Sequence, residues 1–334
     1  MIIQGTLNVT DFALGCTELD RFVYVSTAYA NSHLHHLNPQ QICRISEQIY
    51  PLQDGTGSES DAATEWMYLQ KYGTTPEYQS TPFPWAYAYA KHLTERLITD
   101  RFGETIESKS PSSSSSTDST TSKADRRLLI IRPSIVGPAQ VFPEPGWQVA
   151  TSAPVTGLAA FFIVSPARRL TLYSEFRNPN QEALIDEVPV DTVVNRIIIH
   201  THMNTSGVVH ANRELTMCYR FTDYHNAAKK LRRMPWDPKI MWVGDINSPK
   251  ISEIGKLYAV AGCTFEFEQQ KTSNVWSTMH SREKITFPLF SNMDSDMSRA
   301  LNLSGRSTAF ESLFSKYFKK HKWPAWCLPI VYRS

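Results

Sequence analysis

The sequence predicts an α/β protein with a doubly wound parallel sheet, followed by a smaller region that is mainly helical. Two continuous apolar runs, FVYV at residues 22–25 and LLIIR at residues 128–132, are typical of strands buried on both faces. Helical patterns separate these runs, and a short strand pattern, GVVHAN, follows at residues 207–212. Strands that alternate with helices in this way favour parallel pairing within one sheet.

The first part of the chain is predicted to contain a helix, a strand and a long polar segment. An amphipathic helix is expected at residues 2–15, where Ile3, Leu7 and Leu14 recur at roughly helical spacing. The first strand follows. Residues 33–84 are rich in Pro, Gly, Ser and Gln with only a weak helical pattern, which indicates a loop or an insertion.

The remaining elements follow from the same reasoning. Helices are predicted at about residues 85–100 and 190–203, where apolar side chains fall on one stripe. Residues 108–125 are mostly serine and threonine and cannot bury enough apolar surface to order themselves, so we expect a disordered loop. We expect one domain at residues 1–214, which contains the sheet, and a mainly helical domain at residues 215–334.

The composition excludes several classes of protein. A formal charge of +2 without a basic stripe argues against nucleic acid as a partner. The N-terminus lacks the pattern of a signal peptide, and no apolar run is long enough to span a bilayer. The five cysteines never form a C-x-x-C pair, which fits a reducing compartment. We therefore expect a protein that is not secreted and lies in the cytoplasm or at the surface of an intracellular membrane.

Hydroxyl side chains at the end of the first strand indicate a binding site. Ser26 and Thr27 follow FVYV, and ligands of parallel sheets bind beyond the carboxyl ends of the strands. Tyr87 and Lys91 are four residues apart and therefore share one helix face. Because a nearby ammonium favours phenolate, we expect Lys91 to lower the pKa of Tyr87 and make it a workable general acid. The alternative is that Tyr87 and Lys91 simply lie on a solvated face of the helix, without a catalytic role.

Four segments together resemble the fatty acyl-CoA reductases of the male-sterility type, a branch of the extended short-chain dehydrogenase/reductases. In chain order they are FVYVSTAYAN, YAYAK, IIRPSIVGP and EVPVDTVVN. QGTLNV, at residues 4–9, is similar to the helix that precedes the first of them in that family. The resemblance covers about residues 2–212. It implies the C-terminal part of a Rossmann-like doubly wound parallel sheet, and NADPH-dependent reduction of a long-chain acyl-CoA through the aldehyde to the fatty alcohol.

The resemblance also implies roles for individual residues. Thr27 would be the hydroxyl of the catalytic triad, with Ser26 as its substitute. Tyr87 would donate a proton to the carbonyl oxygen, and Lys91 would lower the tyrosine pKa and hold the nicotinamide ribose. The cofactor-binding residues that the resemblance implies are Ser26, Tyr87, Lys91, Pro133, Ser134, Ile135 and Val136.

One feature of the family is missing from the sequence. The family's first strand ends in a G-x-x-G-x-x-G turn that binds the cofactor pyrophosphate, and no glycines of this chain have that spacing after a strand. We therefore expect the phosphate-binding half to lie upstream of Met1. A catalytically silent remnant, a subunit that depends on a partner, a thioester reductase for carrier-bound acyl groups and a sugar-nucleotide epimerase stay open as alternatives. Oligomeric state and peripheral membrane contact are left open.

Other residues have simpler explanations than catalysis. We expect His33, His35 and His36 to form a solvated cluster and not a metal site, because no further ligand stands at metal spacing. Asp191 stands at the start of a predicted helix and is expected to be its N-cap or an acid of its first turn. A serine hydrolase is disfavoured because no G-x-S-x-G elbow is found. Core packing is the simpler role for the C-terminal tryptophans, with contact to an acyl chain as a hypothesis: Trp236, Trp242, Trp276, Trp323 and Trp326.

Overall fold

The computed structural model describes most of the chain up to residue 291. The described residues are 2–37, 41–107, 127–149, 152–230, 232 and 235–291. The serine-rich segment at residues 108–125, for which we expect disorder, lies outside them, as do Trp323 and Trp326.

Eleven helices are found among these residues. They are α1 (Ile2–Leu14), α2 (Ala62–Tyr72), α3 (Pro76–Ser80), α4 (Ala86–Glu107), α5 (Pro154–Val164), α6 (Pro179–Glu182), α7 (Val190–His202), α8 (Phe221–Lys230), α9 (Glu253–Leu257), α10 (Gln270–Thr278) and α11 (Ser281–Thr286). Short 3-10 helices cover Ala28–Leu37, Leu215–Met217 and Ala259–Gly262.

Eleven strands are found in the same part of the chain. They are β1 (Phe22–Val25), β2 (Cys43–Ile45), β3 (Leu128–Pro133), β4 (Ile135–Gly137), β5 (Arg169–Tyr173), β6 (Leu184–Ile185), β7 (Glu187–Pro189), β8 (Gly207–Ala211), β9 (Tyr219–Arg220), β10 (Lys239–Val243) and β11 (Phe265–Phe267).

The central sheet has the order β1-β3-β8, and all of its strands are parallel. Val25 of β1 pairs with Ile131 of β3, and Ile131 pairs with Val209 of β8. These strands are the three apolar runs of the sequence, so the predicted strands and their parallel pairing are confirmed. The other strands form two-stranded pairs around this sheet.

Helices cover both faces of the sheet, as a doubly wound fold requires. Along β3, Leu128 and Ile130 pack into a core cluster with residues of α1 and α4. The intervening Leu129 and Ile131 point the other way and pack with Val193 of α7. Alternate side chains of β3 therefore point to opposite faces of the sheet, and each set packs against a separate layer of helices. The predicted fold class is confirmed.

The polar segment at residues 33–84 is more ordered than the sequence indicates, so its interpretation as a loop is wrong. Strand β2 pairs with β11, which lies far along the chain. Helix α2 has Asp61 as N-cap, and it ends at Gly73, whose φ of 74° is the left-handed conformation that favours glycine. Long-range strand pairing and helix caps therefore order this segment. Neither of them produces the hydrophobic periodicity by which a sequence reveals its helices and strands.

Two histidines of this segment, His33 and His35, are also not solvated as expected. They are buried, because the 3-10 helix that carries them folds against aromatic rings. The ring of His33 lies 4.6 Å from that of Phe83, and the ring of His35 lies 5.6 Å from that of Phe265. The expectation of a solvated cluster is wrong for these two, since their partners are distant in the sequence. The side chain of His36 lies outside the described ones.

Two buried ion pairs connect helix α4 to the rest of the fold. Arg132 Nε donates to Glu95 Oε1 at 3.0 Å, and both side chains are almost fully buried. Arg96 pairs with Glu65 of α2 in the same way. Charges this deep are stable only when paired, so both ion pairs constrain how α4 is seated.

The predicted domain boundary after residue 214 stays a prediction. One core cluster contains Val155 and Leu172 from before that position and Phe221 and Tyr224 from after it. Helices α8, α9, α10 and α11 lie beyond the boundary, together with strands β9, β10 and β11.

The described residues contain neither a candidate membrane-spanning helix nor a candidate metal site. None of the helices in this part of the chain combines the length and the apolar character that crossing a membrane requires. No group of three or more His, Cys, Asp or Glu side chains in it could hold a metal ion.

Removing one member of the Arg132–Glu95 pair should destabilise the fold strongly. Glu95→Gln leaves the buried guanidinium without a counter-charge, and we expect the free energy of unfolding in urea to fall by about 3–5 kcal/mol. Arg44→Ala is the control, because the Arg44 side chain is 80% exposed in its pair with Glu266. Removing this exposed charge should cost far less stability, because solvent screens the pair. Equal losses in the two variants would contradict this account.

Candidate active site

A cleft of about 760 Å³ lies beyond the carboxyl ends of β1 and β3. This is the edge at which ligands of parallel sheets bind. The hydroxyl-bearing residues Thr27, Tyr87 and Ser134 line it, together with Ile135 and Val136. Most of the remaining lining is apolar. The structure therefore brings together residues from three of the four segments that carry the family resemblance.

Thr27 and Ser26 follow β1 directly, but only Thr27 lines the cleft. The backbone N–H of Ser26 donates to Ile131 O at 2.7 Å, which extends the pairing with β3 by one residue. Thr27 Oγ1 accepts a long hydrogen bond of 3.4 Å from Tyr29 N. The Ser26 hydroxyl is buried and has no hydrogen-bond partner among the described residues. Thr27 is thus better placed for chemistry than Ser26.

Tyr87 and Lys91 lie one turn apart on α4, as the spacing predicts. Tyr87 is 46% exposed and lines the cleft. Lys91 Nζ donates to Val25 O at 2.9 Å and lies 6.0 Å from the centre of the Tyr87 ring. It lies closer, at 4.8 Å, to the ring of Tyr24. The ammonium therefore holds the end of β1 beside the helix that carries Tyr87.

The pKa of Tyr87 does not move in the expected direction. Burial raises it above the ordinary value, and Lys91 is not among the causes of the shift. Burial also lowers the pKa of Lys91, against the opposing effect of Glu95. The expectation that Lys91 lowers the tyrosine pKa is therefore wrong for this structure, because its ammonium is directed at the Val25 carbonyl. Tyr87 stays protonated at neutral pH and can act as a proton donor.

Ser134, Ile135 and Val136 line the cleft, whereas Pro133 does not. Pro133 is the last residue of β3, where it pairs with Ala211 of β8. Pro133 therefore belongs to the sheet and does not reach the cleft, where the resemblance implies that it contacts the cofactor.

Asp186 supports the floor of the cleft and is not apparent from the sequence. The Ser134 hydroxyl donates to Asp186 Oδ1 at 2.8 Å, and the backbone N–H of Arg213 donates to the same oxygen at 3.1 Å. Burial raises the pKa of Asp186 to about 6, although these hydrogen bonds oppose the shift. An acidic residue just before the EVPVDTVVN segment was the only sequence signal for it.

Part of the apolar lining comes from segments that the sequence did not indicate. It includes Val155, Leu158, Tyr258 and Val260. The hypothesis that the C-terminal tryptophans contact an acyl chain finds no support at this cleft, since the three described ones do not line it: Trp236, Trp242 and Trp276.

Asp191 has the structural role expected of a first-turn acid, and Pro189 is the N-cap of α7. Asp191 lies in the first turn of α7, where its carboxylate accepts from the backbone N–H groups of Gln140, Val141 and Phe142. The carboxylate thus fixes the loop that follows β4 to the start of α7.

Comparisons with known proteins support the family resemblance of the four sequence segments. Residues 1–107 match the family described as male sterility protein, an NAD-binding family. Mouse fatty acyl-CoA reductase 2 is 24% identical over 330 residues, which are 96% of this chain and 53% of the mouse protein. The human reductase of the same name is 27% identical over 196 residues, or 59% of this chain and 31% of the human protein. The resemblance to the male-sterility type reductases is confirmed.

This chain spans about half the length, or less, of these two reductases. Solved structures show weaker likeness. The reductase domain of a nonribosomal peptide synthetase from Mycobacterium tuberculosis is 13% identical, with a TM-score of 0.48, and the alignment covers 93% of this chain and 65% of that one. RMD from Pseudomonas aeruginosa, complexed with NADPH, is 11% identical with a TM-score of 0.44, covering 94% and 74%. With scores this low, neither likeness bears on function.

The cleft suits the nicotinamide end of the cofactor that male-sterility type reductases use. Ile135 and Val136 offer an apolar surface for a flat ring, and Thr27 and Tyr87 place hydroxyls beside it. No described strand leads into a G-x-x-G-x-x-G turn that could bind the pyrophosphate. The described residues therefore fit one end of the cofactor.

Asp186 should make stability depend on pH. Its pKa of about 6 lies above the ordinary 3.8, so the folded state binds this proton more tightly than the unfolded chain does. The resulting stabilisation is complete below about pH 4 and is lost as the pH rises to about 6. We expect the unfolding free energy of the wild type, relative to Asp186→Asn, to fall by about 3 kcal/mol across this window.

The matched control is Asp54→Asn, because hydrogen bonds within its turn lower the pKa of Asp54 and it does not titrate there. A flat or rising difference for Asp186→Asn, measured by urea unfolding at each pH, would show that its carboxyl is not protonated in the folded protein.

Proposed function

We propose that this chain carries the catalytic residues of an NADPH-dependent fatty acyl-CoA reductase, which converts a long-chain acyl thioester through the aldehyde to the primary alcohol. The observation that supports this most is the cleft itself. It combines the Thr27 and Tyr87 hydroxyls with an apolar surface at Ile135 and Val136, and its remaining lining suits an alkyl chain. The similarity to fatty acyl-CoA reductases of mouse and human supports the same reaction.

Tyr87 is the proton donor in this proposal. NADPH, when bound, supplies the hydride for each of the two reductions. The thioester carbonyl carbon would accept the first hydride, and collapse of the resulting alkoxide would break the C–S bond and expel CoA as the thiolate, which takes a proton from solvent. The aldehyde carbon would accept the second hydride, from a second NADPH, and its oxygen would take the Tyr87 proton to give the alcohol. A phenol whose pKa is raised by burial keeps its proton until the oxygen develops charge.

Thr27 and Lys91 assist this transfer. The Thr27 hydroxyl donates to the carbonyl oxygen and stabilises the charge that develops there. Lys91 donates one N–H to Val25 O, and the two other N–H groups of its ammonium can donate to a ribose hydroxyl. Ser26, Pro133, Ser134, Ile135 and Val136 complete the proposed cofactor site. Among these, Ser134 has its hydroxyl fixed by the hydrogen bond that it donates to Asp186.

A subunit that needs a partner is the second candidate, and the outer edge of β1 favours it. In the described sheet, β1 pairs with β3 alone, and at its other edge the Val25 oxygen accepts from the Lys91 ammonium and not from a strand. Val25 is exposed at the end of β1, where a partner strand would cover it. A folded chain that binds no NADPH by calorimetry, and gains binding with a partner, would favour this candidate.

Tyr87→Phe should remove most of the reductase activity. Loss of a positioned proton donor lowers the rate by about 100-fold or more, because the alkoxide must then take its proton from water. We would measure NADPH consumption with hexadecanoyl-CoA and identify the product by gas chromatography. The same acyl group on a carrier protein would test the thioester reductase alternative.

The matched control is Tyr68→Phe, which removes a phenol hydroxyl from an exposed tyrosine of α2, outside the cleft. This variant should keep wild-type turnover. Full activity of Tyr87→Phe would rule out Tyr87 as the proton donor.

A further inference from the structure

A hydrogen bond joins the two apolar walls of the cleft. Tyr258 Oη donates to the backbone oxygen of Pro154 at 2.8 Å. Pro154 is the first residue of α5, and Tyr258 follows directly after α9, and both residues line the cleft. One wall comes from the start of α5 and the other from the segment that follows α9. This hydrogen bond therefore ties the two walls to each other across the cleft.

Because Gly157 has no side chain, the hydroxyl of Tyr258 can lie close to its backbone. A β-carbon at position 157 would lie 2.8 Å from Tyr258 Oη, which is closer than β-carbons approach other atoms in proteins. Glycine is a poor helix former, so its position near the start of α5 needs a reason other than helix stability. The close approach of the tyrosine hydroxyl is that reason.

The surroundings of Tyr258 keep its hydroxyl a donor. Its ring packs against the core cluster that contains Val155 and Leu158, which are the apolar side chains of α5 at the cleft. Burial raises the pKa of Tyr258 to about 12, so the phenol stays protonated and the hydrogen bond to Pro154 persists at neutral pH. The contact is thus a fixed part of the wall.

We propose that the Tyr258–Pro154 contact, with the space left at Gly157, limits how far an acyl chain enters the cleft and so sets the chain length that the protein accepts. This inference rests on the proposed function, since it takes an acyl chain as the occupant. Each methylene buried in the cleft raises affinity by about fourfold. The rise stops where the chain meets Tyr258.

Binding of saturated fatty acids tests this without cofactor or turnover. Octanoic to icosanoic acids would displace cis-parinaric acid from the full chain, followed by its fluorescence. For the wild type we expect affinity to rise by about fourfold per methylene and then level off at one chain length. In Tyr258→Ala the levelling should move to longer chains. In Gly157→Ala it should move to shorter ones, because the added methyl displaces Tyr258 into the cleft.

Two matched controls separate this effect from general damage. Tyr68→Ala removes an exposed tyrosine outside the cleft, and Gly103→Ala adds a methyl to α4 where nothing lies within 4 Å of it. Both should keep the wild-type chain length, and thermal unfolding would show that all variants fold. The two cleft substitutions predict opposite shifts, so either folded variant alone decides the question.

The outcomes distinguish the two levels of the proposal. An unchanged chain length in folded Tyr258→Ala and Gly157→Ala would overturn the inference and leave the proposed function intact. A wild type that binds none of the fatty acids would overturn both.

Discussion

The parallel pairing of β1 with β3 is the constraint on which the site depends. Its register places Val25 opposite Ile131, and the hydrogen bond from Ser26 N to Ile131 O continues it beyond the last residue of β1. Thr27 and Ser134 therefore emerge at the same edge of the sheet. A slip of one residue would turn every side chain of β1 to the opposite face and remove Thr27 from the cleft.

Helix α4 is held to this sheet by polar contacts along one face. Glu95 pairs with Arg132 of β3, and Lys91, one turn earlier, donates to Val25 O of β1. Tyr87 lies one turn earlier again and reaches the cleft. Burying an ion pair is costly unless its geometry is good, so the Glu95–Arg132 pair specifies the seating of α4 more than it adds stability. The position of Tyr87 follows from that seating.

The sequence predicts the parts of the fold that depend on local periodicity. The apolar runs at residues 22–25 and 128–132 identified strands, and the spacing of Tyr87 and Lys91 identified a shared helix face. Long-range contacts escaped this reasoning. The pairing of β2 with β11 orders a segment that looks like a loop, and the partners of His33 lie far along the chain.

The same limit applies to the site. Asp186 and Tyr258 are brought to the cleft by the fold, and no motif marks either of them. The direction of the Tyr87 pKa shift depends on how deeply the ring is buried and on where the Lys91 ammonium points. The sequence shows that Tyr87 and Lys91 are four residues apart on a helix. It does not show that the Val25 carbonyl accepts a hydrogen bond from the Lys91 ammonium.

Isotope transfer tests the central claim most directly, namely that the cleft reduces an acyl carbonyl with a nicotinamide cofactor. The folded full chain would be incubated with hexadecanoyl-CoA and NADPH deuterated at the transferred position, and the lipid product analysed by mass spectrometry. This account predicts hexadecanol with deuterium on its first carbon, and loss of that label with Tyr87→Phe. Unchanged thioester from a folded wild-type chain that binds NADPH would contradict it.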